Sequence, residues 1–184
     1  MSTLGAAWLA MIALHEFGHV LHASISGGQV TEIELPPRGL GHTRVGLNPH
    51  PLFVAWGGAC WGCSLPLLIW LGVRRWTERY LPLATFFAGM CLIANGAYLA
   101  AGGFIGASND ADDAHELLRH GAAHGQLLVL GIPAVLAGLW LWHGLGPVMR
   151  APWCSPTIGT REGILMLAVF LLLLLLGMAL GATG

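Results

Sequence analysis

Charged residues are scarce in this chain, and lysine is absent. Only 9% of the 184 residues are Asp, Glu, Lys or Arg, and all eight basic residues are arginine. Hydrophobic residues make up 55% of the chain and the mean hydropathy is +0.70, which excludes an ordinary soluble domain. The net charge of −1 favours no nucleic-acid partner. Composition therefore predicts an integral membrane protein.

Apolar runs of about 20 residues are long enough to cross a bilayer as helices. Five such runs occur, at 4–26, 51–73, 80–105, 122–143 and 163–181. The last run has no ionisable residue, which is typical of a lipid-facing anchor. We expect an α-helical polytopic membrane protein with about five transmembrane helices, folded as one membrane-embedded domain over 1–184.

The arginines bear on the orientation of these spans, because cytoplasmic loops carry an excess of basic residues. If the five spans alternate, the face with the N-terminus holds Arg74, Arg75, Arg79, Arg150 and Arg161. The opposite face holds Arg38, Arg44 and Arg119. Five arginines against three favour a cytoplasmic N-terminus.

The first span contains His15-Glu16-Phe17-Gly18-His19, which has the form H-E-x-x-H. Residues four apart lie about 40° from each other on one helix face, so His15 and His19 can share a metal ion. Glu16 lies beside them, where the general base of a zinc peptidase belongs. The alternative is a buried histidine pair bonded to backbone or water. Ionisable groups are costly within a membrane and usually mark function, which favours the metal site.

Between the first two spans, residues 28–47 alternate polar and apolar side chains. The run Pro36-Pro37-Arg38-Gly39 supplies a turn, so the segment predicts a small β-hairpin on the membrane surface. The exposed edge of such a hairpin can accept an extended peptide as an added strand. A simple linker is the alternative.

Two of the four cysteines, Cys60 and Cys63, have C-x-x-C spacing inside the second span. This spacing can serve redox or metal chemistry. The neighbouring Gly57, Gly58 and Gly62 instead indicate a face for close helix packing, which is the interpretation we favour.

Two histidines leave a zinc site in need of a third protein ligand. The loop after the third span returns to the membrane face nearest the histidines and contains Asp110, Asp112 and Asp113. Alternatively, Ser108, Asn109 or Asp110 could cap a short helix whose first turn favours carboxylates and which ends near Gly121. His22, seven residues after His15, is a further candidate ligand or transition-state donor, although an interfacial histidine is the simpler interpretation.

Taken together, these motifs resemble the site-2 protease family of intramembrane zinc metalloproteases, particularly its short bacterial branch. The resemblance covers the H-E-x-x-H helix, the break at Gly27-Gly28, the hairpin, the Gly-rich second span and an aspartate after two more spans. In the family an L-D-G motif supplies the third ligand, with apolar residues four and five positions later. Asp113 matches that tail through Leu117 and Leu118, whereas Asp110 and Asp112 match it less well.

The chain departs from the family pattern at two positions of that motif. Asp112 stands where the family has an apolar residue, and Ala114 replaces glycine. No N-x-x-P stands just upstream of Asp113, and Asn95 is the nearest asparagine in a spanning helix. Asn95 could correspond to the family's polar group near the scissile carbonyl.

The resemblance implies a Zn²⁺-dependent protease in the cell membrane, of the bacterial cytoplasmic type, whose substrates have a transmembrane segment in the bilayer. His15, His19 and Asp113 would be the metal ligands, Glu16 the catalytic base and Asn95 a substrate or transition-state donor. A non-proteolytic membrane zinc-binding protein of the same fold is the alternative, and an ion transporter a less favoured one. The oligomeric state is unknown from sequence.

Overall fold

The computed structural model describes residues 2–36, 39, 41–106 and 113–146, with single positions at 168, 171 and 172. Its elements are α1 (Ser2–Ser26), β1 (Val30–Glu34), β2 (His42–Val45), α2 (Pro51–Trp76), α3 (Leu81–Ile105), α4 (Asp113–Arg119) and α5 (His124–His143). Four of the helices, α1, α2, α3 and α5, are long and apolar enough to cross a membrane.

The predicted fold class is confirmed: the protein is a helical membrane protein with a small hairpin between its first two spans. The four long helices coincide with the first four predicted spans to within three residues at each end. The fifth predicted span, 163–181, lies outside the described residues apart from positions 168, 171 and 172.

The long helices pack in the order α1, α2, α3 and α5, each against the next, and the short helix α4 lies on α2 and α3. Glycine permits the closest of these contacts. A Cβ atom on Gly57 of α2 would overlap the carbonyl of Gly18 in α1, and a Cβ atom on Gly18 would overlap the carbonyl of Gly57. The backbones of α1 and α2 therefore touch, as small residues allow between membrane helices.

The glycine face predicted for the second span is a packing face in the structure. Gly58 lies against the rings of His15 and His19, and Gly62 lies against the side chain of Asn95. Cys60 and Cys63 are free thiols. α2 is thus the element against which the histidine-bearing face of α1 is packed.

The two strands pair antiparallel, with Ile33 opposite Thr43 and Glu34 opposite His42. The hairpin folds back along α1 instead of projecting from its end, since Gly41 lies against Glu16 and Ile12. Glu16 is ten residues before the end of α1, which corresponds to about 15 Å of helix. The far end of the hairpin therefore reaches the middle of the first span, deeper than a hairpin lying flat on the membrane surface.

Helix α4 begins at Asp113 and is held by its apolar face. Leu117 is fully buried and Ala114 nearly so, and both belong to a cluster with Ala55 of α2 and Leu99 of α3. The residues proposed to cap this helix, 108–110, lie outside the described part of the chain. The buried face of α4 sets the position of Asp113 relative to α1.

Candidate metal centre

Three side chains from two distant parts of the chain converge at one point. His15 Nε2 lies 2.6 Å from Asp113 Oδ2, and His19 Nε2 lies 3.2 Å from the same oxygen. The two Nε2 atoms are 3.2 Å apart. Two of the three come from consecutive turns of α1, and the third comes from the first residue of α4. The structure therefore brings His15, His19 and Asp113 together as a possible metal-binding group.

The other ring nitrogen of each histidine donates a hydrogen bond to an oxygen. His15 Nδ1 donates to Asn95 Oδ1 at 2.6 Å, and His19 Nδ1 donates to the Val54 carbonyl at 2.9 Å. These acceptors carry no proton, so Nδ1 must carry one in each ring. In the neutral imidazole the Nε2 lone pair is then directed at the centre of the group, as it is in metal-binding histidines.

This donor set fits a metal cation. Two Nε2 lone pairs and a carboxylate oxygen face one another within hydrogen-bonding distance, and acceptors so arranged repel each other unless a proton or a cation lies among them. Two imidazole nitrogens and one carboxylate oxygen are ligands that zinc takes in catalytic sites, where a fourth position stays open. His15, His19 and Asp113 could therefore hold zinc.

Asp113 is held in place from α3, and its neighbours favour the ionised carboxylate. Its backbone N–H donates to the hydroxyl of Tyr98 at 2.7 Å. Burial alone would raise the pKa of its carboxyl, but when protons on the two histidines occupy the position of the metal, the charge of His19 and hydrogen bonds from His15 and His19 hold that pKa well below its usual range. Asp113 is thus a carboxylate, the form that binds a metal.

Glu16 is buried, with 4% of its surface exposed, on the helix that carries both histidines. Its Oε2 accepts a hydrogen bond from the Thr43 hydroxyl at 2.7 Å. Gly41 lies against the same carboxylate, and a Cβ atom there would come within 2.6 Å of Oε1. The hairpin therefore closes over the predicted base.

His22 lies apart from the three converging side chains. Its Nδ1 donates to the Phe53 carbonyl at 2.7 Å, and its Nε2 accepts from the indole of Trp61 at 3.2 Å. Its ring also stacks on Phe53, with centroids 4.1 Å apart. Both nitrogens are occupied, so His22 is not a ligand in this arrangement. Asp110 and Asp112, the other candidates, lie outside the described residues.

Asn95 contacts His15, one of the three converging side chains. Its Oδ1 accepts from His15, and its Nδ2 donates to the Cys91 carbonyl at 2.9 Å. It is buried, with 5% exposed. Asn95 is thus placed to orient the ring of His15, a candidate metal-binding residue.

Two openings meet at the converging side chains. A cavity of about 200 Å³ runs between α1 and α3, and Asp113 and Glu16 lie at its polar end. Its apolar end is formed by Trp8, Met11, Ile12 and Ala94. A second, more polar groove of about 440 Å³ runs between β2, the start of α2 and α4, and reaches His19 and Asp113.

Sequence reasoning did not find Thr43 or Tyr98 as site residues. Thr43 is one of several polar residues in an alternating strand, and Tyr98 is one aromatic residue in an apolar helix. Neither belongs to a motif, and the only signal for Tyr98 was its position one turn after Asn95. Their contacts with Glu16 and Asp113 arise from the packing of separate elements.

A family model described as Peptidase M50B-like matches residues 3–102, which are 100 of the 184 residues. No curated protein and no solved structure matches the chain. The matched residues include all of H-E-x-x-H, the hairpin, α2 and Asn95, and they end before Asp113. The match and the four membrane-spanning helices agree with the resemblance to site-2 proteases: the chain belongs to the Peptidase M50B-like family.

Proposed function

We propose that the protein is an intramembrane zinc metalloprotease that hydrolyses peptide bonds in or near transmembrane segments of other membrane proteins. The observation that carries this proposal is the convergence of His15, His19 and Asp113 beside buried Glu16 on a membrane-spanning helix. Family membership supports the same class of chemistry. We place the protein in the cell membrane, of the bacterial cytoplasmic type.

Each side chain has a distinct role in this proposal. His15 and His19, through Nε2, and Asp113, through Oδ2, would hold the metal. Zinc bound by them would supply Lewis-acid activation of water and of a peptide carbonyl. Glu16 would take the proton from the attacking water and return it to the leaving amide nitrogen. Its burial keeps bulk water away from that proton transfer.

We assign Asn95 to orienting His15, a role that is compatible with the predicted contact with the substrate. Its acceptor is engaged by His15 and one of its donors by the Cys91 carbonyl. The side-chain amide has a second N–H, which could donate to a scissile carbonyl without breaking either bond. Outer partners of this kind fix the orientation of a metal-binding imidazole and raise its basicity.

The two openings are consistent with an extended substrate. A transmembrane helix hides its carbonyls in its own hydrogen bonds, so it must unwind before hydrolysis. In the described hairpin β2 pairs only with β1, and the groove beside β2 leads to His19 and Asp113. An unwound segment could add as a strand along β2, with an apolar side chain in the cavity formed by Trp8 and Met11.

The test is zinc content and cleavage of single-span substrates in liposomes, comparing the parent chain with Glu16→Gln. We expect one zinc per chain in both proteins and cleavage only by the parent, because Gln cannot accept the proton. Removal of an essential catalytic group of this kind lowers kcat by a factor on the order of 10²–10⁴.

Matched variants separate the ligands from their neighbours. Asp113→Asn should lose zinc, while Asp112→Asn and His22→Gln should keep it. A parent that binds zinc but cleaves none of the substrates would favour the non-proteolytic zinc-binding alternative. A parent that binds no zinc would contradict the proposal.

A further inference from the structure

The hydrogen bond from Thr43 to Glu16 joins strand β2 to helix α1, two elements with different proposed roles. The residues are 27 positions apart, and their side-chain oxygens are 2.7 Å apart. Glu16 belongs to the helix with the metal-binding group, whereas Thr43 belongs to the hairpin strand nearest the groove. The bond therefore connects the proposed base to the proposed substrate-binding strand.

We propose that Thr43 is a positioning residue that holds the Glu16 carboxylate in the orientation needed for proton transfer; this inference rests on the proposed function. A glutamate side chain has several rotatable bonds, and a donor to one oxygen restricts them. Thr43 suits this task because its β-branched side chain has few rotamers. The opposite side of the carboxylate is limited by Gly41, which leaves Oε1 little room to move.

The strand around Thr43 is itself held in register. Thr43 pairs with Ile33, and the neighbouring pair, Glu32 and Arg44, adds a salt bridge of 3.1 Å. A one-residue shift would turn Thr43 away from Glu16, because alternate side chains of a strand point to opposite faces. The pairing of the hairpin thus fixes the position of the base.

This arrangement couples substrate docking to the base. β2 supplies Thr43 to Glu16 and also forms one wall of the groove that reaches His19 and Asp113. A segment added along β2 would order the strand that holds the carboxylate. Substrate added as a strand would bind the backbone of β2, whereas the contact with Glu16 is made by the Thr43 hydroxyl. Removing that hydroxyl should therefore lower the rate of the chemical step more than it weakens substrate binding.

The kinetic test compares Thr43→Val with Thr43→Ser. Valine keeps the shape of threonine and removes the donor, whereas serine keeps the donor. We expect kcat of the valine variant to fall about 10- to 100-fold, the range expected for loss of a hydrogen bond to a charged group. KM and zinc content should stay at the parental values, and serine should restore kcat to within a few-fold of the parent.

Thr85→Val in α3 is the matched control. The Thr85 hydroxyl is likewise hydrogen-bonded, donating to the Leu81 carbonyl and accepting from the indole of Trp70, but it is remote from Glu16. Its kcat should match that of the parent. An equal loss in both valine variants, or a raised KM with parental kcat in Thr43→Val, would overturn the positioning role.

A double-mutant cycle in chelator tests the contact without relying on cleavage or metal. Thr43→Val should lower the Tm by a few degrees in the parent, and by much less in the Glu16→Ala background, where the acceptor is gone. Equal shifts in both backgrounds would refute the proposal. A parent that cleaves no substrate would refute the proposed function. The double-mutant cycle would still show whether the Thr43 hydroxyl is bonded to the Glu16 carboxylate.

Discussion

Each residue of the candidate metal centre has a second contact that holds it in place. Asn95 accepts from His15, the Val54 carbonyl accepts from His19, and Tyr98 accepts from the backbone N–H of Asp113. The imidazole rings would otherwise sample several rotamers, and the bond to Tyr98 fixes the backbone from which the Asp113 carboxylate extends. Their lone pairs converge because these partners, drawn from α2 and α3, hold them.

At the residue scale, Asn95→Leu tests the partner of His15. Leucine has a similar size but no acceptor, so His15 loses its orientation, and we expect zinc affinity to fall about 10- to 100-fold. Competition with a zinc-binding dye would measure the zinc affinity of the variant and of the parent.

Asn95→Asp is the control for this substitution, because it keeps an oxygen in place for His15 Nδ1. It should bind zinc more tightly than the leucine variant. Parental affinity in Asn95→Leu would contradict a positioning role for Asn95.

At the element scale, the glycines of α2 allow the side chains of α1 and α3 that form the site to lie directly against its backbone. Gly58 is the critical position, since a Cβ atom there would overlap Nε2 of both His15 and His19. The space that a metal would need is thus bounded on one side by the backbone of α2. No other residue type leaves that space open.

Gly58→Ala tests this arrangement. We expect the added methyl group to displace the histidine rings, lowering the zinc content and abolishing cleavage. Gly72→Ala, in the same helix, is the control: the nearest atom to its Cβ would be Trp76 Cζ3 at 3.5 Å, an ordinary contact. That variant should keep its zinc and gain about 0.5–1 kcal/mol in stability from the better helix former. Full zinc occupancy in Gly58→Ala would show that α2 does not limit the site.

At the scale of the whole molecule, the candidate site joins the beginning of the chain to the short helix α4. His15 and Asp113 are 98 residues apart, and α2 and α3 lie between them in sequence. A metal bound by both would therefore cross-link α1 to α4, which both pack on α2 and α3. Its removal should loosen the fold as well as stop catalysis.

Chelation should accordingly lower the Tm of the zinc-loaded protein. Zinc at about 1,000 times its Kd stabilises the folded state by about 4 kcal/mol, which corresponds to roughly 10 °C in a domain of this size. Thermal unfolding in detergent, with and without chelator, measures the difference. Asp113→Asn should show little response to chelator, and an unresponsive parent would contradict a structural link through the metal.

The amino-acid sequence by itself determined the membrane class, the positions of the first four spans, the hairpin between the first two and the H-E-x-x-H helix. These features are local. A run of apolar residues predicts a span regardless of its neighbours, and two histidines four apart share a helix face wherever the helix lies. Resemblance to a known family singled out Asp113.

Only the tertiary structure decided which groups meet. The contacts of His15 with Asn95 and Asp113 join residues 80 and 98 positions apart, and that of Glu16 with Thr43 joins residues 27 apart. Such contacts depend on how the glycine faces pack, on the buried face of α4 and on the fold of the hairpin along α1. No local pattern encodes them, because each arises from the packing of two or more elements.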